Sequence, residues 1–261
     1  MVIIKSKQQV EQLRKAGRIV AETYEVIRPH LKAGVTTAEI DKIAEEYIRS
    51  KGAIPSYIGY GAMPARQGRP AIPAFPATIC TAINDVICHG IPSDKDRLRD
   101  GDIIGIDIGV HYNGWVGDSC VTFAIGNIDS ESRRLLDVAK RSMEIGIEQA
   151  RPGKYLGDVG AAIQEYCERE GFSTVREYTG HGVGRSLHEE PFVLHFAQKG
   201  ATLKLRPGMV FTVEPMINVG RPETRVKTDR WTVCTADGKR SAQYEHTIAI
   251  TDGAPEILTA L

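Results

Sequence analysis

Two stretches of this chain are versions of one another, and together they limit what it can become. Leu98-Arg99-Asp100-Gly101-Asp102 runs on into Ile106-Asp107-Ile108-Gly109, and Leu205-Arg206-Pro207-Gly208-Met209 runs on into Val213-Glu214-Pro215-Met216. Laid over each other, Leu98 meets Leu205, Gly101 meets Gly208 and Asp107 meets Glu214. Each stretch carries one carboxylate into an apolar, strand-like run. A carboxylate is seldom fully buried unless it is paired or bound to a metal. The same oddity twice implies a duplicated scaffold whose acids meet at its centre.

The repeat extends into helices. Ser6 and Gln9 fit a capping box. Val10, Leu13, Gly17, Val20, Tyr24 and Ile27 then recur at helical spacing, and Ala33-Gly34 is expected to stop the helix. Thr36 and Glu39 form a second capping box before Ile40, Ile43, Tyr47 and Ile48, with Gly52 as the C-terminal cap. Asp129-Ser130-Glu131-Ser132 opens another helical hairpin, which carries Leu135, Leu136, Met143, Val159, Ile163 and Tyr166 and ends near Gly171. Gly34 matches Gly153, Glu46 matches Glu165, Tyr47 matches Tyr166 and Gly52 matches Gly171. Each half reads helix, helix, then strands bearing acids. The period is far longer than that of a solenoid. One domain over 1–261 is expected, with internal halves of about 1–127 and 128–261.

The acids follow from strand alternation. Ile104, Ile106, Ile108 and Val110 share one face; Gly105, Asp107 and Gly109 share the other. Asn113-Gly114 is a hairpin signal. That turn puts Asp118 opposite Gly109 and diagonal to Asp107, within joint reach of the two side chains. Gly105 and Gly109 bring no side chains, which leaves room for a guest beside Asp107. In the second half, Arg230–Thr235 and Arg240–Thr251 read as a hairpin across Asp237-Gly238, setting Glu245 beside Arg230 and Trp231. Glu245 precedes His246-Thr247-Ile248 much as Asp118 precedes Ser119-Cys120-Val121, so these acids form the second matched pair.

Asp107, Asp118, Glu214 and Glu245 would repel one another at one place, and several would have to protonate. Two divalent metals resolve this. His181, in Thr179-Gly180-His181-Gly182-Val183-Gly184, is a natural nitrogen ligand. One imidazole with four carboxylates suits manganese, iron, cobalt or zinc better than magnesium or calcium. A water bridging two such metals is a nucleophile near neutral pH, and the metals polarise a carbonyl. That is hydrolase chemistry.

Composition sets the boundaries. With 33 basic and 33 acidic side chains in 261 residues, nothing drives the chain towards nucleic acid or anionic membrane. At 42% hydrophobic content it can build a core. The N-terminus turns polar too soon for a signal peptide, and no apolar run approaches the roughly 20 residues that span a bilayer. Cys80, Cys88, Cys120, Cys167 and Cys234 are scattered, which favours reduced thiols in the cytoplasm.

Plain readings stand beside these. A single acid in a strand is ordinarily a surface residue, and the repeat is what argues against that for all four. His89 and His188 sit next to glycine or proline turns. Cys80 and Cys88 read as small core residues. From Ala53 to Pro76 the helical pattern is lost. The Gly/Pro-rich segment reads as a loop, with Arg66 and Arg69 as solvated charges.

The stretches Asn84-Asp85-Val86-Ile87-Cys88-His89-Gly90-Ile91-Pro92, Gly114-Trp115-Val116-Gly117-Asp118, Thr179–Gly184, Phe211-Thr212-Val213-Glu214-Pro215 and Gln243-Tyr244-Glu245-His246-Thr247 closely resemble the type I methionine aminopeptidases of the short bacterial form. The likeness spans nearly the whole chain. It implies an α+β pita-bread fold: a pseudo-two-fold pair of helical hairpins against a curved antiparallel sheet. It implies a cytoplasmic, monomeric enzyme that removes the initiator methionine from nascent chains. Asp107, Asp118, His181, Glu214 and Glu245 would be the metal ligands, Asp118 and Glu245 bridging. His89 would contact the scissile amide, His188 the carbonyl oxygen, and Glu214 would take a proton from the water. Tyr60, Phe75, Cys80, Leu187 and Trp231 match the methionine pocket, and a monovalent cation is implied near Asn84, Val86 and Ser241.

Between Tyr60 and Phe75 the chain is longer than that short form, which leaves Tyr60 in question as a pocket residue. A lid, a contact for the ribosome or for the next substrate residue, and a neutral insertion are all open readings. The zinc-binding N-terminal extension of some eukaryotic relatives is not expected. The rivals are a proline-directed relative of the same fold, which usually carries a further N-terminal domain, and a metal-free binding module that has lost its ligands.

Overall fold

The computed structural model describes residues 1–66, 68, 70–200 and 202–261. Its first half runs α1 (Lys7–Ile27), a 3₁₀ turn (Arg28–His30), α2 (Thr37–Ser50), β1 (Ile54–Pro55), β2 (Ile79–Ile83), β3 (Val86–Cys88), β4 (Ile103–Tyr112) and β5 (Trp115–Ala124). The second runs α3 (Ser130–Gln149), α4 (Leu156–Arg169), β6 (Ser173–Thr174), β7 (Gly180–Gly182), β8 (Glu189–Val193), β9 (Val210–Val213), β10 (Met216–Asn218), β11 (Thr224–Val226), β12 (Val233–Thr235), β13 (Ser241–Gln243), β14 (His246–Ala249) and β15 (Glu256–Ile257).

The helix starts follow from their caps. Ser6 Oγ accepts the Gln9 N–H while Gln9 reaches back to Ser6, and Thr36 and Glu39 do the same for α2. Asp129 caps α3 through the Ser132 N–H. The first helix ends earlier than Ala33-Gly34, at Ile27. Pro29 follows within the next turn and has no N–H to continue the ladder.

Matched positions in the halves make the same bonds. Gly34 N–H donates to the Leu98 carbonyl and Gly153 N–H to the Leu205 carbonyl; Leu98 and Leu205 return their N–H groups to Val35 and Lys154. Gly34 and Gly153 both take positive φ, 97° and 87°, which an L side chain rarely adopts. Each helical hairpin is thereby tied to the loop entering its own acid-bearing strand.

The helices cover one side of the sheets. Val20, Tyr24, Ile27, Ile40 and Ile48 pack with Ile104, Ile106, Ile108 and Val110 of β4. Leu135, Met143, Val159 and Ile163 pack with Phe211, Val213, Ile217 and Ile248. Each such buried aliphatic side chain contributes roughly 1.5–3 kcal/mol by leaving water. The alternation in β4 then turns Asp107 to the opposite face.

β4 pairs antiparallel with β5 across Asn113-Gly114, with Gly109 opposite Asp118 and Asp107 opposite Cys120. The register is the one the turn dictated. The second half differs from expectation. β12 pairs with β11 and β3, and β13 pairs with β10, so the Asp237-Gly238 turn joins strands of different sheets. Glu245 is therefore not beside Arg230 and Trp231. β9 pairs with β14 up to Val213–His246, and β10 with β13 from Met216–Gln243. Counting inward from both ends puts Glu214 opposite Glu245. The ladder opens there, where Pro215 offers no N–H.

The halves join along β5. Ser119 Oγ donates to the Glu245 carbonyl at 2.5 Å, Glu245 N–H to the Cys120 carbonyl at 2.8 Å, and Thr247 Oγ1 to the Asp118 carbonyl at 2.7 Å. Within the segment 53–76, several described residues make specific backbone contacts. Met63 and Ile72 exchange both backbone hydrogen bonds, and Phe75 N–H donates to Tyr60. Arg66 is exposed; Arg69 lies outside the described residues. No helix among the described residues is long and apolar enough to cross a membrane. All five cysteines are buried and free.

Candidate active site

A cavity of about 290 Å³ opens on the face away from the helices. Asp107, Asp118, His181, Glu214 and Glu245 line it, together with His89, His188, Tyr60, Phe75, Cys80, Leu187 and Trp231. The structure thus brings the expected ligand and pocket residues to one place. Ligand atoms of Asp118, His181 and Glu245 lie within 4.8 Å of one another. Asp107 and Glu214 line the same cavity outside that group of three.

Burial dominates the electrostatics. It pushes the Asp107 carboxyl up to about 7 and that of Glu214 up to about 8. Burial and the neighbouring acids push Asp118 and Glu245 well above the usual carboxylate range. Glu245 Oε1 has no hydrogen-bond partner. A metal-free site would have to take up protons at neutral pH. Divalent cations would balance the acids instead and give that orphaned oxygen a partner, so the donor set fits them.

His181 is preset as a nitrogen donor. Its Nδ1–H donates to the Gly182 carbonyl at 3.1 Å, which leaves the Nε2 lone pair facing Asp118 Oδ2 at 3.5 Å and Glu214 Oε1 at 3.6 Å. Burial and then the nearby His188 ring lower its pKa to about 3, so it is neutral. Glu214 is held from two sides. Thr212 Oγ1 donates to Oε1 at 2.5 Å and Gln243 Nε2 to Oε2 at 3.1 Å.

The remaining histidines flank these acids. His89 adopts a left-handed backbone, φ 56°, at the end of β3, and its ring meets Tyr178 and Trp231 edge-on. Burial lowers its pKa to about 4. His188 is more exposed, its ring 4.0 Å from that of His181. Tyr60 Oη bonds His188 Nδ1 at 2.6 Å, so this tyrosine reaches the site from the 60–75 segment. Trp231 Nε1–H donates to the Pro73 carbonyl, which ties that residue to the pocket wall. At the expected monovalent site, the Ser241 N–H donates to the Asn84 carbonyl at 2.8 Å, so those two residues are neighbours.

Two residues here were not among the expected ones. Tyr57 Oη lies within hydrogen-bond distance of Asp107 Oδ1, at 2.5 Å, and of Asp118 Oδ1, at 2.7 Å. His195 is buried behind Glu214 and accepts its N–H. Tyr57 also corrects the reading of Gly109. The space beside that glycine is filled by the Tyr57 ring, where an added Cβ would come within 2.8 Å of Cε1. The signal for Tyr57 was the bare glycine itself; for His195 it was a lone histidine in the run Val193-Leu194-His195-Phe196.

The Metallopeptidase family M24 model matches residues 11–252, and the chain belongs to that family. Bacterial methionine aminopeptidases are among its full-length relatives. It is 45% identical over 259 residues to methionine aminopeptidase 1 of Bacillus subtilis (strain 168), covering 99% of each. It is 44% identical to the methionine aminopeptidase of Escherichia coli (strain K12), over 99% of this chain and 94% of that protein. The crystal structure of methionine aminopeptidase from Rickettsia prowazekii superposes with a TM-score of 0.92 at 43% identity, covering 99% of this chain and 100% of that one. The fold is the pita-bread arrangement.

Proposed function

We propose that the chain is a methionyl aminopeptidase, a cytoplasmic hydrolase that removes the initiator methionine from nascent proteins and peptides. The observation that carries this reading is the meeting, in one cavity, of five potential metal ligands with the apolar walls Phe75, Cys80, Leu187 and Trp231. The names of the full-length relatives support it. The buried free thiols support a reducing compartment.

Asp107, Asp118, His181, Glu214 and Glu245 would hold divalent ions of cobalt, manganese, iron or zinc. Such ions, when bound, supply an activated water and a polarised scissile carbonyl. The chain's own groups do the rest. Glu214, oriented by Thr212 and Gln243, takes the proton that the attacking water loses. His89 contacts the scissile amide and helps return a proton to the leaving amine. His188 Nδ1 is engaged by Tyr60; with the tyrosine hydroxyl as donor, Nε2 carries a proton that would meet the carbonyl oxygen as negative charge builds there. The methionine side chain lies against Phe75, Cys80, Leu187, Trp231 and Tyr60, a surface suited to a flexible thioether.

The test pairs Met-Ala-Ser with an Ala-Pro peptide, each with Mn²⁺ or Co²⁺ supplied. Methionine release from the first and no alanine release from the second is expected. Alanine release alone would replace this reading with a proline-directed peptidase.

A further inference from the structure

Tyr57 sits where no surface tyrosine needs to be. Its backbone is tied to the strand that carries Asp107: β1 pairs Ile54 with His111 and Pro55 with Val110, and the Ser56 N–H donates to the Gly109 carbonyl at 2.9 Å. Its ring stands edge-on to Phe75, with centroids 6.3 Å apart, and fills the space that Gly109 leaves bare. Its hydroxyl reaches Asp107 on β4 and Asp118 on β5 together. Among the described residues no other donor reaches the Asp107 carboxylate. Asp118 divides its two oxygens: Oδ1 faces the phenol and Oδ2 faces His181.

We propose that Tyr57 is a positioning residue of the metal site, its hydroxyl fixing the Oδ1 atoms of Asp107 and Asp118 so that both carboxylates are aimed before metal arrives. The inference rests on the reading above that these acids bind metal. A phenol has one proton, so it donates to one carboxylate at a time, and its oxygen accepts from the other when that one is protonated. It therefore links the two strands through a shared donor. Burial and the surrounding acids keep that proton on the phenol. Partners that orient ligating side chains typically account for a 10- to 100-fold difference in metal affinity. Gly109 is part of the same device, since a side chain there would push the ring aside.

The test is calorimetric titration of the metal-free chain with Co²⁺, together with the visible spectrum of the loaded protein. Y57F keeps the ring and loses the hydroxyl. It is expected to bind Co²⁺ about tenfold or more weakly, with a shifted spectrum and an unchanged melting temperature when metal-free. G109A keeps the hydroxyl and displaces the ring, and is expected to weaken binding in the same way. Y57L serves as the packing control. Wild-type affinity and spectrum in Y57F, with loss only in Y57L, would make Tyr57 a pocket wall and overturn the proposal. Failure of the wild type itself to bind Co²⁺ would remove the metal-site reading and this inference with it. Equal binding by wild type and Y57F would remove this inference alone.

Discussion

His195 Nε2 accepts the backbone N–H of Glu214 at 3.1 Å. The imidazole is buried, and burial lowers its pKa to about 3, so the acceptor nitrogen is never blocked by a proton near neutrality. His195→Leu would leave that N–H buried without a partner, which costs about 1–3 kcal/mol. His195→Gln retains an acceptor and should lose less. Urea denaturation of both variants checks the order, and equal losses would contradict it.

Turnover should depend on every acid in the cavity. Asp107→Ala or Glu214→Ala would remove one proposed ligand, and a chelator would remove the proposed counter-charge. All three are expected to lower kcat for Met-Ala-Ser at least about 100-fold, with Mn²⁺ or Co²⁺ restoring only the chelated wild type. Near-wild-type rates in either variant would refute the ligand assignment.

His188 and Tyr60 should act as a unit. His188→Ala removes the group proposed to meet the carbonyl oxygen, and the loss of one such donor is expected to lower kcat roughly 100-fold or more. Y60F frees Nδ1 without removing the ring, so its effect on kcat should be smaller and its metal content unchanged. A Y60F variant with normal kcat but raised KM would show that Tyr60 serves the pocket alone.

Asp41 gives a pH dependence that involves none of the five candidate ligands. Its Oδ1 accepts the N–H groups of Thr78 and Ile79, both at 2.9 Å, at the entry to β2. Burial nonetheless raises its pKa to about 6, against the pull of those two bonds. The folded chain therefore holds this proton longer than the unfolded one. The associated stability is fully present below about pH 4, the usual range of an aspartate, and is lost as pH rises through about 6. Asp41→Asn keeps the accepting oxygen and should flatten this part of the profile. Denaturation midpoints of the two proteins between pH 4 and pH 7 measure it, and parallel profiles would exclude Asp41 as the cause.

How much of this was legible depended on whether the determinants were local. The caps at Ser6, Thr36 and Asp129 and the Asn113-Gly114 turn act over a few residues, and they specify helix starts and the register of Asp107 against Asp118. The matched glycines Gly34 and Gly153 carried the repeat because each must take positive φ. Glu245 was misplaced because Asp237-Gly238 looks like a hairpin turn locally, while the partner of β13 is chosen by distant packing on β10. Tyr57 was hidden for the same reason: it lies in a Pro/Gly-rich stretch with no periodicity, and only the tertiary fold brings its hydroxyl to two acids. His195 showed nothing in sequence beyond an imidazole among apolar neighbours.

The bonds that join Ser119, Cys120 and Asp118 to Glu245 and Thr247 make the boundary between halves the same line along which the acids are shared. Each half is an unfinished cage with two negative bars. Ionised acids would repel across that line, and protons or divalent cations would neutralise them, so uptake of either would be linked to the fit of the halves. Scarcity of metal would then be felt first as slackness along this line, well before either helical layer loosens.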